Sequence, residues 1–368
     1  MTSPLPASAS NTAIEVNGLI AYCRPGFEKE LAAEIDELAI DAALSGYVRA
    51  EPGSAYVVFE TCEPTALAGF EDKLDWRRLI FGRQLLPWFR RLDNLPERDR
   101  ASPIVAAVHE SGQRFSGVVL ETPDGDIAKQ QSGFCRRFAD PLTRELEKAG
   151  RLRTSRQGLP KLHVLFSGPN QAWLACGFPG RCSPWPMGIA RLKMPSNAPS
   201  RSTLKLAEAF MTLLSDDERE NLLRPGQRAV DLGAAPGGWS WQLAYRGLRV
   251  TAIDNGPLRD SVLATGMVEH LHADGFTWRP ARPVDWLVCD MVEQPGRIAA
   301  LIADWIGTGR CRHAIFNLKL PMKQRFKAIE QCRELIRKRL ATVGPFDLRL
   351  KQLYHDHEEV TAYLTLKR

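Results

Sequence analysis

The stretch "VDLGAAPGGWS", Val230 to Ser240, carries an apolar strand end through an acid and a glycine-proline-glycine turn into a predicted helix. At such a turn the backbone can approach a ligand closely, because glycines interpose no side chain and the amides at a helix start face outward. Two familiar phosphate-binding loops can be tested against it. The G-x-x-x-x-G-K-[ST] loop fails because no lysine follows the glycines. The dinucleotide fingerprint G-x-G-x-x-G fails because the spacing here is G-x-x-x-G-G, although Asp254 stands at a strand end about 20 residues on, where a ribose-binding acid is expected.

Working outward, strands alternate with helices on both sides of the turn. "STLKLAEAFMTLL" places Leu204, Ala207, Phe210, Met211 and Leu214 on one helical face. "RAVDL", "LRVTAID", "DWLVCD" and "HAIFNLKL" read as buried strands, and "GWSWQLAYRG" and "KQRFKAIEQCRELIRKRL" as helices. The final "DLRLKQLY" and "EVTAYLTL" alternate as a strand pair that would add an antiparallel edge. The alternation predicts an α/β doubly wound, mostly parallel sheet, with ligands at the carboxyl ends of its strands.

The proline-rich "GFPGRCSPWPMGIARLKMPSNAPS", Gly177 to Ser200, is the strongest composition break, and the main boundary is placed near residue 190. Ahead of it, "GLIAYCRPGFEKELAAEIDEL", "AYVVFE", the basic helix "GFCRRFADPLTRELEKAGRLR" and the strands "KLHVLFS" and "QAWLACGF" read as one or two small α+β modules. A chain of 368 residues fits two or three domains.

Composition excludes some classes. The hydrophobic fraction of 44% and charged fraction of 25% are ordinary for a soluble protein. No stretch approaches the roughly 20 apolar residues of a membrane span, and the start has no basic segment followed by an apolar core, so the chain is read as cytoplasmic. Its eight cysteines are scattered without a C-x-x-C pair, which favours free thiols over a disulfide or zinc framework. His355 and His357 in "YHDHEE" find no further ligand set, so no metal is expected. No long apolar heptad calls for an obligate protein partner, and a monomer is expected.

The failed phosphate loops leave a nucleoside ligand with a ribose but no pyrophosphate, a description that S-adenosyl-L-methionine meets. Asp254 would accept from the ribose hydroxyls and Asp274 of "HADGF", after the third strand, from an adenine amino group. Taken alone, the turn also fits a plain strand-to-helix connection with an acid as helix cap. A further resemblance bears on the choice. "DLGAAPGGWS" resembles the D-L-G-x-x-P-G-G-[WF]-[ST] motif of the FtsJ-like ribose 2'-O-methyltransferases. The resemblance implies a Rossmann-like seven-stranded sheet, mostly parallel with the last strand antiparallel. It also implies a donor site built from Ser202, Asp231, Gly233, Ala235, Pro236, Gly237, Gly238, Trp239, Asp254, Asp274 and Asp290.

The same resemblance implies four catalytic residues, a lysine, an aspartate, a second lysine and a glutamate. Lys205 in "SRSTLKL", Asp290 closing the fourth strand and Lys319 closing the fifth match the first three. Glu358 and Glu359 compete for the fourth, with Glu359 fitting the E-V-x pattern better. Lys319 would act as base only if its pKa fell well below the usual value of about 10.4. Burial, nearby Lys205 and the sulfonium are expected to push it down, with Asp290 orienting it and Lys205 and Glu359 fixing the ribose.

Over its full length the chain is similar to the bacterial large-subunit (23S) ribosomal RNA cytidine 2'-O-methyltransferases of the RlmM type. That resemblance implies a ferredoxin-like module at 1–80, a THUMP-like RNA-binding module at 81–189 and a catalytic domain at 190–368. Large-subunit rRNA would then be the partner. Arg136, Arg137, Arg144, Arg151, Arg153 and Arg156, with Lys323, Arg325 and Lys327, fit a polyanion, as do the net charge of +6 and a pI near 8.9. The sequence leaves open a same-fold methyltransferase for tRNA or a small hydroxylated acceptor, and a catalytically silent RNA-binding scaffold.

Overall fold

A computed structural model describes residues 15–66, 74–153 and 158–367. Arg156 lies outside the described residues. The chain divides into two compact units, one of Met1–Trp76 and Gly82–Gly188, the other of Arg77–Phe81 and Ile189–Arg368.

The first unit runs β1 (Glu15–Tyr22), α1 (Glu28–Asp41), β2 (Gly46–Ala50), β3 (Tyr56–Ala66), β4 (Gln84–Leu92), α2 (Ala101–Glu110), β5 (Val118–Glu121), α3 (Asp126–Lys148), β6 (Lys161–Gly168) and β7 (Gln171–Gly177). Its strands form one continuous sheet in the order β2-β3-β1-β4-β7-β6-β5. β4 is the shared strand, pairing antiparallel with β1 on one side and with β7 on the other. Helix α3 is amphipathic: Cys135, Leu142 and Leu146 pack into a core with Ile104, Leu162, Val164 and Leu174, while Arg136, Arg137 and Arg144 face solvent. Arg153 is also exposed, and Arg151 is half-buried, donating to His109 and to the Gly112 carbonyl.

The second unit continues with α4 (Ser202–Leu213), α5 (Asp216–Leu222), β8 (Arg228–Leu232), α6 (Gly238–Tyr245), β9 (Arg249–Ile253), α7 (Asp260–Leu263), β10 (Val268–Leu271), β11 (Val284–Cys289), α8 (Pro295–Gly307), β12 (Cys311–Lys319), α9 (Arg325–Leu340), β13 (Phe346–Lys351) and β14 (Glu359–Leu366). The strand order is β10-β9-β8-β11-β12-β14-β13. The order reverses beside β8, which pairs with β9 on one side and β11 on the other, so the crevice for a ligand opens at the end of β8.

The alternation rule places the central strands correctly because they are buried on both faces: β8 keeps four of its five residues buried and β11 five of six. The expected antiparallel pair closes one edge of the sheet. β14 is the antiparallel strand but lies inside the sheet, between β12 and β13, and β13 forms the edge. Helix α9 carries the chain past the vacant position to lay β13 parallel to the other strands, and β14 turns back to fill the gap. β14 is accordingly buried over its first six residues.

The core beneath this sheet gathers Leu206 and Phe210 of α4, Trp239 and Leu243 of α6, and Trp286, Ile315 and Tyr363 from the strands. Phe210 meets Trp286 edge-to-face at 5.8 Å. This packing fixes α4 across the strand ends, which sets where Lys205 points. Among the described residues no helix is long and apolar enough to cross a membrane, and no group of acids, histidines and cysteines could hold a metal. All eight cysteines are free.

Candidate active site

At the end of β8 the chain makes the turn the sequence advertises. Gly233 has φ +76° and Gly237 φ +107°, the left-handed region that disfavours side chains. The Gly233 and Ala234 amides both donate to the Ile253 carbonyl, at 3.0 and 3.3 Å, and the Gly237 amide closes onto the Ala234 carbonyl at 2.6 Å. Gly238 opens α6 against α4: a Cβ there would stand 2.1 Å from Ser202 Oγ and 2.5 Å from Ser200 Oγ. Helix and turn can meet this closely only without a side chain.

A cavity of about 350 Å³ lies on the turn, lined by Ser200 to Ser202, Asp231, Gly233 to Pro236, Trp239 and Asp290. Within its wall, Asp231 is 1% exposed. Oδ2 accepts from Ser240 Oγ at 2.7 Å, but Oδ1 finds no hydrogen-bond partner among the described residues. Burial, opposed by the Ser240 hydrogen bond and reinforced by the charge of Asp290, raises the Asp231 pKa to about 7. A buried acceptor with a free lone pair, poised between neutral and charged, is suited to a ligand bearing a cationic donor.

Four expected donor residues, Gly237, Gly238, Asp254 and Asp274, lie outside the cavity lining. Asp254 accepts from the Ala235 amide at 2.9 Å and the Gly256 amide at 2.7 Å, one on each carboxylate oxygen, which leaves each oxygen a further lone pair. Asp274 is exposed and caps its own turn, accepting from the Phe276 amide at 2.9 Å.

Beside the cavity four side chains converge. The β12–β14 register sets Lys319 directly opposite Glu359, and the parallel β11–β12 pairing brings Asp290, one residue past β11, to the same sheet edge. Lys205, one turn into α4, completes the group. Lys319 Nζ donates to Asp290 Oδ1 at 2.8 Å and to Glu359 Oε2, while Lys205 Nζ donates to Asp290 Oδ2 at 3.3 Å and to Glu359 Oε1. Each acid therefore touches both lysines. Glu358 points away, 55% exposed and paired with Arg325, which leaves Glu359 as the fourth member.

The expected depression of the Lys319 pKa is not found in the donor-free protein. Burial does oppose its charge, but Asp290 and Glu359 together outweigh burial and hold the pKa above the usual lysine value. Asp290 responds in the opposite sense: burial would raise its pKa, yet Lys205 and Lys319 hold it below the usual carboxylate range. Two cations and two anions sum to zero, so the resting site is a neutral quartet.

Comparison with known proteins agrees with this architecture. The RlmM ferredoxin-like domain family matches residues 16–86, the N-terminal family of ribosomal RNA large subunit methyltransferase M matches 99–178, and the FtsJ-like methyltransferase family matches 198–343. Ribosomal RNA large subunit methyltransferase M of Azoarcus sp. strain BH72 is 73% identical over 368 residues, covering all of both chains. The chain belongs to that family. Proteins of the same name from Thauera aminoaromatica, 71% identical over 100% of both chains, and Methylococcus capsulatus, 50% identical over 95% of this chain and 98% of its own, belong beside it.

As a member of the ribosomal RNA large subunit methyltransferase M family with an FtsJ-like domain, the protein is an S-adenosylmethionine-dependent methyltransferase. The cavity fits that donor: Asp231 Oδ1 would take the donor's amino group, and the bare turn leaves room for its nucleoside. Binding to ionised Asp231 expels a proton below the folded pKa, so donor affinity should rise as pH climbs toward about 7 and flatten above it. Calorimetric titration of S-adenosylhomocysteine, which keeps the amino group and lacks the sulfonium, should show this rise in wild type and lose it in Asp231→Asn. Gly238→Ala should weaken the same binding about tenfold or more by driving α4 off the turn; wild-type affinity in that variant would show that the helix yields freely.

Other residues in the site left little trace in the sequence. Glu208, one turn beyond Lys205 on α4, accepts from the Tyr354 and His355 amides at 2.8 and 3.0 Å and from His355 Nδ1 at 2.6 Å. This grip holds the loop that leads into Glu359, and it is the use the structure makes of "YHDHEE". Asn317, fully buried, donates to Asp290 Oδ1 at 2.7 Å. A lone amide inside the apolar "HAIFNLKL" was the one available signal for it.

Proposed function

We propose that the protein methylates the ribose 2'-hydroxyl of a cytidine in large-subunit (23S) ribosomal RNA, in the cytoplasm and as a monomer, with Lys319 as general base. The observation that carries this reading is the quartet itself: two lysines each bridged to the same two carboxylates, beside a cavity walled by the glycine turn, Asp231 and Asp290.

The donor supplies a methyl group already activated on a positive sulfur. The difficult part left to the protein is the acceptor, because a ribose hydroxyl is a poor nucleophile near neutral pH. Lys319 takes the hydroxyl proton as the oxygen bonds to the methyl carbon and the carbon–sulfur bond breaks. Asp290, held by Lys205 and Asn317 as well as by Lys319, fixes the direction of the amine. Lys205 and Glu359 hold the ribose so that oxygen, carbon and sulfur stay in line. The bound sulfonium adds one positive charge to the neutral quartet, and loss of the Lys319 proton restores zero. Donor binding thus lowers the Lys319 pKa that the resting acids raise. The exposed arginines of α3 and Lys323 and Lys327 beside the site would hold phosphates.

Mass spectrometry of nucleosides from 23S rRNA of cells with and without the gene tests the assignment. A 2'-O-methylcytidine lost on deletion and restored by the wild-type gene supports it. Loss of a ring-methylated base instead would contradict the ribose chemistry.

A further inference from the structure

Behind Asp290 runs a line of fully buried polar side chains, of which the reaction scheme uses only Asn317. Asn317 Nδ2 donates to Asp290 Oδ1 at 2.7 Å; Asn317 Oδ1 lies 2.7 Å from Thr361 Oγ1; and Thr361 Oγ1 lies 3.1 and 3.0 Å from the two carboxyl oxygens of Asp356. Asn317, Thr361 and Asp356 are each 0% exposed. Asn317 and Thr361 are direct cross-strand partners in β12 and β14, so their side chains share a face.

The proton positions follow from donor and acceptor chemistry. Asp290, ionised between two lysines, only accepts, so Asn317 turns its amide NH₂ toward it and its carbonyl away. That carbonyl also only accepts, so the single hydroxyl proton of Thr361 points to Asn317. Nothing on Thr361 then remains to donate to Asp356, and a contact at 3.0 Å requires the proton to sit on the carboxyl. We infer that Asp356, Thr361 and Asn317 form a one-way hydrogen-bond relay, headed by a neutral carboxylic acid, that locks the orientation of Asp290, which makes Asp356 and Thr361 positioning residues for methyl transfer.

The surroundings agree with a neutral Asp356. Burial, and then the charge of Glu359 on β14, push its pKa well above the usual carboxylate value; Lys205 of α4 opposes them and Glu208 of α4 reinforces them. Oδ2 accepts from the Leu353 amide at 2.9 Å, which holds the carboxyl in place. Charge counting points the same way. An ionised Asp356 would add a negative charge behind the quartet and hold the proton on Lys319, opposing its release to the base form. It would also draw the Thr361 proton to itself, leaving the Asn317 carbonyl facing a lone pair.

The inference rests on the assigned role of Asp290, and its test separates the two. Thr361→Val, isosteric but without the hydroxyl, should lower kcat about 10- to 100-fold, the scale of a misplaced reacting group. The KM for RNA and the affinity for S-adenosylhomocysteine should stay unchanged. With the Asn317 carbonyl no longer held by Thr361, the Asn317 amide loosens from Asp290 and Asp290 grips Lys319 more strongly, so the rising limb of kcat against pH should move to higher pH. Thr361→Ser, which keeps the hydroxyl, should recover most of the lost rate. Asp356→Ala should behave as Thr361→Val, whereas Asp356→Asn, whose NH₂ can donate to Thr361 while its carbonyl accepts from Leu353, should recover most of the rate and the wild-type pH limb. Thr361→Val with unchanged kcat and pH profile would overturn the relay, as would Asp356→Asn failing as badly as Asp356→Ala. Equal losses of donor affinity and thermal midpoint across all these variants would reduce the chain to a folding role and overturn it too. Lys319→Ala, run alongside, keeps the claims apart: turnover surviving there overturns the base assignment and the relay with it, while turnover surviving only in Thr361→Val overturns the relay alone.

Discussion

Lys319→Ala should reduce methyl transfer by about 10²- to 10⁴-fold, the contribution of a well-placed general base, while S-adenosylhomocysteine binds as it does to wild type. Lys319 donates to both acids of the quartet and is 26% exposed in its side chain, the most accessible of the four. It is therefore the member an incoming ribose meets. Removing it leaves Lys205 against two carboxylates, a net charge of −1 that favours a cationic donor. Affinity for S-adenosylmethionine itself should thus hold or tighten even as turnover collapses, a split that misfolding would not give. The raised Lys319 pKa adds a pH signature. In the donor-free protein the amine is held protonated by Asp290 and Glu359, so kcat/KM for the donor should keep rising with pH through the alkaline range. The rise of kcat, which reports the complex with the sulfonium in place, should level off at lower pH. Coincident profiles would mean that the donor's charge does not reach Lys319. Full residual turnover in Lys319→Ala would remove it from the mechanism.

Raising salt from about 50 to 200 mM should weaken methylation of RNA by about 20- to 50-fold at subsaturating RNA, if three or four phosphates are neutralised along a single strand. Arg136, Arg137, Arg144 and Arg153 of the first unit, and Lys323 and Lys327 near the active site, are exposed and available for this. Arg325 is not, being tied to Glu358. The loss should fall on KM, with kcat at saturating RNA nearly constant, because the quartet is shielded from bulk ions by its burial. A flat response over that range would point to a small uncharged acceptor and away from RNA.

The parts of the site that were legible in the sequence are those set by local pattern. The turn after β8 announces itself because glycine is needed where φ is positive and where α6 and α4 nearly touch. Asp290 and Lys319 announce themselves because a charged residue closing an apolar strand is unusual. What the pattern does not carry is set by register and by long-range approach. Glu358 and Glu359 are neighbours in sequence, and only the pairing of β14 with β12 decides which faces the lysines. The sign of the Lys319 shift depends on two acids, 29 and 40 positions away, folding onto one amine. The inner position of β14 follows from the crossover through α9, which strand periodicity cannot report. Asp254 stands where a ribose acid is expected, and the Ala235 and Gly256 amides that also hold its carboxylate are visible only once the turn has closed.

The most direct measurement is transfer of labelled methyl from S-adenosylmethionine by the purified protein to total RNA from cells lacking it, with ribosomal and transfer RNA separated afterwards. Label is expected in large-subunit rRNA, in an alkali-resistant dinucleotide that yields 2'-O-methylcytidine. Label confined to transfer RNA, or released by alkali as an ordinary mononucleotide, would contradict the assignment.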